Sequence, residues 1–174
     1  MIYWIWLTQI PQIGPVLSNR LLEAFTTPDQ IYKADEKALR VIKGINSRQI
    51  ESIQNSKSLD EAEEILNICK KKEISILTKQ DPQYPLKAKI PEDAPPVLYY
   101  QGVFKHFSRT VGIVGARRCT QEVKKQCVHI TKNYVQQGIP VVSGMAKGID
   151  ACAATVCINE GGYTIAVLGN GLDI

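Results

Sequence analysis

The 174-residue sequence predicts an α/β chain in which a small all-helical domain precedes a parallel sheet. Three observations carry that expectation. Residues 1–72 show helix caps and apolar positions at helical spacing. Residues 73 to about 109 change composition and hold five prolines between Asp81 and Pro96. The last third contains three short β-branched runs, each ending in a glycine turn and separated from the next by a helical stretch. The expected division is a helical domain over 1–72 and a sheet domain over 73–174.

In the helical part, Thr27-Pro28 suits an N-cap followed by proline in the first turn. Ser58-Leu59-Asp60-Glu61 reads as a capping box. It opens a helix whose positions Leu59, Ala62, Ile65, Leu66 and Cys69 fall on one face, and Lys70-Lys71-Lys72 suits that helix's carboxyl end. A weak repeat is also present. Ile10-Pro11-Gln12-Ile13-Gly14-Pro15 and Ile42-Lys43-Gly44-Ile45 each resemble half of a helix-hairpin-helix unit. DNA-binding versions expose backbone amides through two glycines per hairpin. Each hairpin here keeps one, with Gln12 and Asn46 in the other places. The expectation is a SAM-like helical scaffold with little phosphate contact, to which Arg20, Arg40, Lys43 and Arg48 add auxiliary charge. Trp4 and Trp6 lie in an apolar segment without flanking cations, which predicts packing rather than base stacking.

Glu73 to Thr78 alternates like a strand, and Val97-Leu98-Tyr99-Tyr100 is a second strand candidate. Prolines between them exclude long helices and predict a fixed, packed connection.

The runs in the last third are Thr110 to Gly115, Pro140 to Gly144 and Thr164 to Gly169. Strand, helix and strand at this spacing imply right-handed crossovers and a Rossmann-like parallel sheet. Ligands on such a sheet sit beyond the carboxyl ends of its strands, where the glycine turns lie. Glycine lets backbone approach a ligand, helix amino termini add partial positive charge, and Arg117, Arg118 and Lys147 add full charges. The expected site is an anion pocket built from Gly115, Arg117, Arg118, Ser143, Gly144, Lys147, Gly148, Gly169 and Gly171, and phosphate is the anion that fits it. Thr120 is expected to cap a helix with apolar positions Val123, Cys127, Ile130 and Tyr134. Asp150 is expected to cap the next helix, Ala151 to Asn159, whose small residues Ala151, Cys152, Ala153 and Ala154 let it lie close to the sheet.

An apolar fraction of 44% and a charged fraction of 22% are ordinary for a globular protein, and a net charge of +4 is compatible with an anionic partner. Five cysteines without a C-x-x-C pair argue against a disulfide framework and a zinc ribbon. The apolar opening, Met1 to Leu7, is too short to span a bilayer and lacks a cleavage pattern, which predicts a cytoplasmic protein without membrane association. Neither His106 nor His129 lies in a glycine turn, and Cys119, before a helix amino terminus, has no base nearby in sequence. With no Walker lysine-serine turn and no H-E-x-x-H, the expectation is a binding protein with no catalytic residue, metal or cofactor.

The turns G-A-R-R-C-T, S-G-M-A-K-G-I-D and G-N-G-L-D, in this order and spacing, resemble those of the bacterial DNA-processing protein A (DprA, or Smf) family. Asp81-Pro82-Gln83-Tyr84-Pro85 and Pro95-Pro96-Val97-Leu98-Tyr99-Tyr100 extend the resemblance ahead of the sheet. It implies a protein that binds single-stranded DNA during natural transformation, protects it and helps load a RecA-type recombinase, without catalysis. It also implies a homodimer in the full-length protein, peripheral strands from residues 73–109, and further sheet beyond residue 174. Arg117 aligns with the arginine of the family's Gly-Ser-Arg turn, and Ala116 replaces the serine, removing one hydroxyl ligand. Asp173 is marked by the resemblance as ordering the third loop. Two alternatives use the same sheet design: a nucleotide phosphoribohydrolase of the lysine-decarboxylase-like group, and a sensor of a small nucleotide.

Overall fold

A computed structural model describes residues 1–172, which divide into two compact units between Val103 and Phe104.

The first unit is built on α1 (Ile2–Gln9), a helix apolar on all sides that buries Trp4, Ile5, Trp6 and Leu7. Around it pack α2 (Pro15–Phe25), α3 (Pro28–Lys33), α4 (Glu36–Arg40), α5 (Ser47–Asn55) and α6 (Asp60–Lys71). Ile5, Leu7, Leu21, Ile31, Leu39 and Ile53 are fully buried among them. Trp6 is a packing residue: its indole N–H donates to the Ser56 carbonyl and its ring meets Tyr32 edge-on at 5.1 Å.

Helix starts follow local chemistry, with one change from expectation. Thr27 occupies the N-cap position of α3 ahead of Pro28 without a side-chain capping bond, and the Asp35 carboxylate caps α4 by accepting from the Ala38 amide at 2.8 Å. A reciprocal capping box does exist, but at α5, where Asn46 and Gln49 each accept the other's amide at 3.0 Å. Ser58 does not form one: α6 starts at Asp60, so the Ser58 hydroxyl lies one residue too far out and instead bonds Asp60 itself. Acids in the first turn of α6 and Lys70 and Lys71 in the last match the helix dipole.

Two strands, β1 (Ser75–Thr78) and β2 (Val97–Tyr100), pair antiparallel from Ser75 opposite Tyr100 to Thr78 opposite Val97. Between them lies α7 (Leu86–Lys89). These strands form their own two-stranded sheet and add no strand to the parallel one, contrary to expectation. The proline segment is held firmly, as its composition predicts. Tyr84 is fully buried and its hydroxyl donates to the Pro95 carbonyl at 2.7 Å. The Asn19 side-chain amide donates to the carbonyls of Glu92 and Ala94, both at 2.9 Å. Those bonds tie residues 73–103 to the helices, so packing divides the chain at Val103 rather than at the composition change near Glu73.

The second unit is a three-stranded parallel sheet in the order β3 (Val111–Gly112), β4 (Val141–Ser143), β5 (Thr164–Ala166). Its crossovers are α8 (Gln121–Gln136) and α9 (Ile149–Asn159), which pack on each other and both touch β4. The core comprises Val141, Cys127, Ile149, Ala153 and Cys157. Ala153 and Ala154 are buried, as expected of a helix lying close to strands. The buried positions of α8 are Cys127 and Thr131, one turn apart, while Val123 and Ile130 are 43% and 48% exposed. The expected apolar stripe of that helix is therefore rotated outward, because α9 and β4 take the Cys127 side. No disulfide joins any of the five cysteines.

Candidate functional site

Parallel pairing puts the three glycine turns at the same end of the sheet. The first two are joined by a residue that the capping rule misassigned. The N-cap of α9 is Gly148, whose φ of 97° lets the chain enter the helix at Ile149. Asp150 therefore lies inside the first turn and is only 5% exposed. Its carboxylate reaches back between the turns: Oδ1 accepts from the Gly115 amide at 3.0 Å and Oδ2 from the Gly144 amide at 3.1 Å.

Backbone packing closes the same junction. The Ile149 amide donates to the Ala116 carbonyl at 3.3 Å. A Cβ at Gly148 would strike the Ala116 carbonyl oxygen and stand 2.7 Å from that of Arg117. One at Gly115 would stand 2.8 Å from the Ile149 Cβ. These two glycines are thus required by close approach of one turn to the other.

The arrangement redistributes the expected anion ligands. Amides of Gly115 and Gly144 are consumed by Asp150 and do not face a ligand. Ser143 is 2% exposed, and its Oγ, without a hydrogen-bond partner among the described residues, lies below the surface. The amides of Met145, Ala146, Lys147 and Gly148, by contrast, donate to no protein group among the described residues. Met145 takes a φ of 55° and Gly148 one of 97°, and both lie just ahead of α9, whose amino terminus carries partial positive charge. Arg117, Arg118 and Lys147 are exposed on the first two turns, and none forms an ion pair among the described residues. Gly169 and Gly171 are exposed in the third turn, where Asn170 Nδ2 donates to the Gly171 carbonyl at 3.2 Å. That turn joins the others through the Val167 amide, which donates to the Ser143 carbonyl at 2.8 Å. Asp173 lies outside the described residues.

Charge is distributed unequally. Residues 1–103 carry thirteen basic and thirteen acidic side chains, and residues 104–174 carry eight and four, so the +4 excess lies wholly in the second unit. Of those four acids, Asp150 is buried against amides and Glu160 pairs with Lys132 at 2.7 Å. Thr120 caps α8 by accepting from the Val123 amide at 3.3 Å, which leaves Lys124 and Lys125 exposed beyond the first turn. The arrangement offers strong phosphate attraction from side chains and a few amides.

Neither histidine lies at the glycine turns. His129 sits on α8 against Asn133 at 3.2 Å, and His106 lies ahead of β3, at the end of the sheet away from the turns. Burial pushes the Cys127 and Cys157 thiols up, while Cys119 is half-buried. No group of three or more His, Cys, Asp or Glu that could hold a metal occurs among the described residues. Nor is any helix there long and apolar enough to cross a membrane.

The helical unit presents less. Gln12 holds a φ of 66° that glycine would adopt more readily, and the Asn46 amide is taken by Gln49. Gln49 Nε2 and Ser52 Oγ donate to the carbonyls of Gln12 and Pro11, at 3.3 and 2.7 Å, binding the two hairpins together. Arg20 lies over Gly44 and pairs with Glu92 at 2.6 Å, and Arg40 pairs with Glu36.

A paired-hairpin helical unit followed by a Rossmann-like unit with basic glycine turns defines a two-part class of architecture, all-helical and then α/β. Comparison with known proteins names the family. The model of the DNA recombination-mediator protein A family matches residues 75–174, and that of the SAM-like helix-hairpin-helix tandem matches residues 7–56. Protein Smf of Synechocystis is 38% identical over 178 residues, covering 99% of this chain and 44% of that protein. DNA processing protein DprA of Streptococcus pneumoniae is 37% identical over 83 residues, 47% of this chain and 29% of that protein. The X-ray structure of DprA from S. pneumoniae superposes with a TM-score of 0.78 at 23% identity, covering 100% of this chain and 59% of that one. This chain belongs to the DNA recombination-mediator protein A family, and it spans less than half the length of the Synechocystis relative. The family match begins at residue 75, near the composition change, whereas the packing boundary falls at Val103.

Proposed function

We propose that this chain binds single-stranded DNA without catalysis, through phosphates held at the glycine turns by Arg117 and Lys147. The observation that carries the reading is the junction at Asp150, which fixes two turns whose cations form no ion pair, and four of whose amides donate to no protein group, among the described residues. Arg117 offers a planar fork for bidentate phosphate binding, and Lys147 a point charge beside the amino terminus of α9. Arg118 adds charge to the same rim. Names borne by the relatives, DNA processing protein and recombination mediator, support a role in DNA processing and recombination, and handling incoming strands during natural transformation is what the family resemblance implies. On this reading the full-length protein works in the cytoplasm as a homodimer, protects the strand and helps load a RecA-type recombinase.

The test is anisotropy titration of labelled oligothymidylate at several salt concentrations, with Arg117→Ala and Lys147→Ala chains shown to fold. Removing one phosphate ligand should weaken binding and reduce the log–log salt slope by about 0.7. Wild-type affinity in both folded variants would place the DNA away from the turns and overturn the reading.

A further inference from the structure

The amino-terminal end of the parallel sheet, opposite the glycine turns, carries a second basic surface. Residues 104–109 read Phe-Lys-His-Phe-Ser-Arg and lead into β3, while Tyr163 immediately precedes β5. The Phe107 and Tyr163 rings lie 4.8 Å apart and tilted, and Lys105 Nζ stands 5.4 Å from the Tyr163 ring centroid. His106 meets Phe104 edge-on at 5.7 Å. Lys105, His106 and Arg109 are exposed, and none forms an ion pair among the described residues. The acid nearest to Tyr163 in sequence, Glu160, is already taken by Lys132.

Packing explains the rings, because Phe104 and Phe107 are half-buried and Phe107 lies against Tyr163. It does not explain three basic side chains interleaved with them. Cations alternating with aromatic rings are the parts of a surface that tracks single-stranded nucleic acid, with charge for phosphates and rings for base stacking.

We propose that residues 104–109 with Tyr163 form a second binding surface for the same DNA strand. Lys105 and Arg109 take phosphates, and the His106 ring, edge-on to Phe104, offers a face on which a base stacks. The inference rests on the single-stranded DNA reading given above. Arg109 and Gly115 are six residues apart along β3 and its extension, which at strand rise separates the two surfaces by about 20 Å. A strand must therefore exceed a minimum length to touch both.

The experiment titrates a trinucleotide and a 20-nucleotide oligothymidylate against the wild-type chain and against Lys105→Gln/Arg109→Gln and His106→Ala chains. Thermal unfolding checks that each variant folds. The double variant should bind the 20-mer about tenfold more weakly, with a salt slope lower by about 1.4, and bind the trinucleotide as wild type does. Photo-cross-linking of a bromouracil-containing 20-mer to the wild-type chain should label a peptide containing residues 104–109, and this readout needs no variant. Unchanged affinity and slope for the 20-mer, or equal weakening for both lengths, would overturn the second surface, as would absence of that peptide among the cross-links. If Arg117→Ala abolishes binding while the double variant matches wild type, only the second surface falls. If the wild-type chain binds neither oligonucleotide, the DNA reading falls and takes this inference with it.

Discussion

Asp150 shows how much one side chain controls. A carboxylate accepts at both oxygens, so it can hold two backbone amides from separate turns at once. Asn keeps the shape but presents an N–H to one of those amides, leaving a buried donor unpaired. Asp150→Asn should therefore cost about 1–3 kcal/mol in urea unfolding. It should also weaken DNA binding even though it removes a negative charge from a basic site. Tighter binding in the folded variant would show that charge, not positioning, is its contribution. Gly148→Ala tests the adjoining packing, since it forces a side chain into the Ala116 carbonyl at a left-handed φ. The expected cost is about 1–3 kcal/mol or failure to fold, measured the same way. Sequence reasoning singled out Asp150 but assigned it the wrong partners. Capping is a rule about neighbours within three residues, whereas Gly115 lies 35 residues away and reaches Asp150 only through the sheet pairing. Ser143 misled for a related reason: its place at a strand end was legible, but which face of the strand it occupies depends on where α8 and α9 dock.

At the scale of elements, the strands and glycine turns were readable because β-branched runs and glycines act locally. The α8 face was less so. Val123, Cys127, Ile130 and Tyr134 fit helical spacing, yet Thr131 is the fully buried partner of Cys127, and a hydroxyl carries no apolar signal. The β1–β2 connection offers a pH test. Asp81 accepts from the Thr78 amide at 2.6 Å and its hydroxyl at 2.7 Å, and these bonds hold its carboxyl below the usual range. A depressed folded-state value stabilises above the unfolded pKa, about 3.9, and that stabilisation disappears as pH falls through the lower folded value. Unfolding monitored between pH 7 and pH 2 should show Asp81→Asn to be less stable by roughly 1 kcal/mol at neutrality. The difference should shrink toward acid; a constant difference across that range would exclude an electrostatic origin. In the helical unit, Asn46→Ala removes half of the α5 capping box and should cost about 1 kcal/mol, read from chemical denaturation.

For the whole molecule, on the proposed DNA-binding reading, charge decides between the two units. Helix-hairpin-helix units bind phosphate through exposed hairpin amides, and here the second hairpin's Asn46 amide is already bonded to Gln49. Arg20 and Arg40, two of the four cations that the sequence offered for auxiliary phosphate binding, are paired with Glu92 and Glu36. Acids and bases balance through residue 103, so the helical unit adds little long-range attraction, whereas the second unit carries the entire excess. Neutralising Arg40, Lys43 and Arg48 together to Gln should therefore leave oligothymidylate affinity within about twofold and the salt slope unchanged. Any of the three that did hold a phosphate would instead lower that slope by about 0.7 when replaced. Neutralising Arg117 and Lys147 removes the same kind of charge from the unit whose acids do not balance its bases, and the slope should drop by about 1.4. A drop in slope from the helical triple variant equal to that from Arg117 and Lys147 would mean that the hairpins hold phosphates after all and that the strand runs over both units.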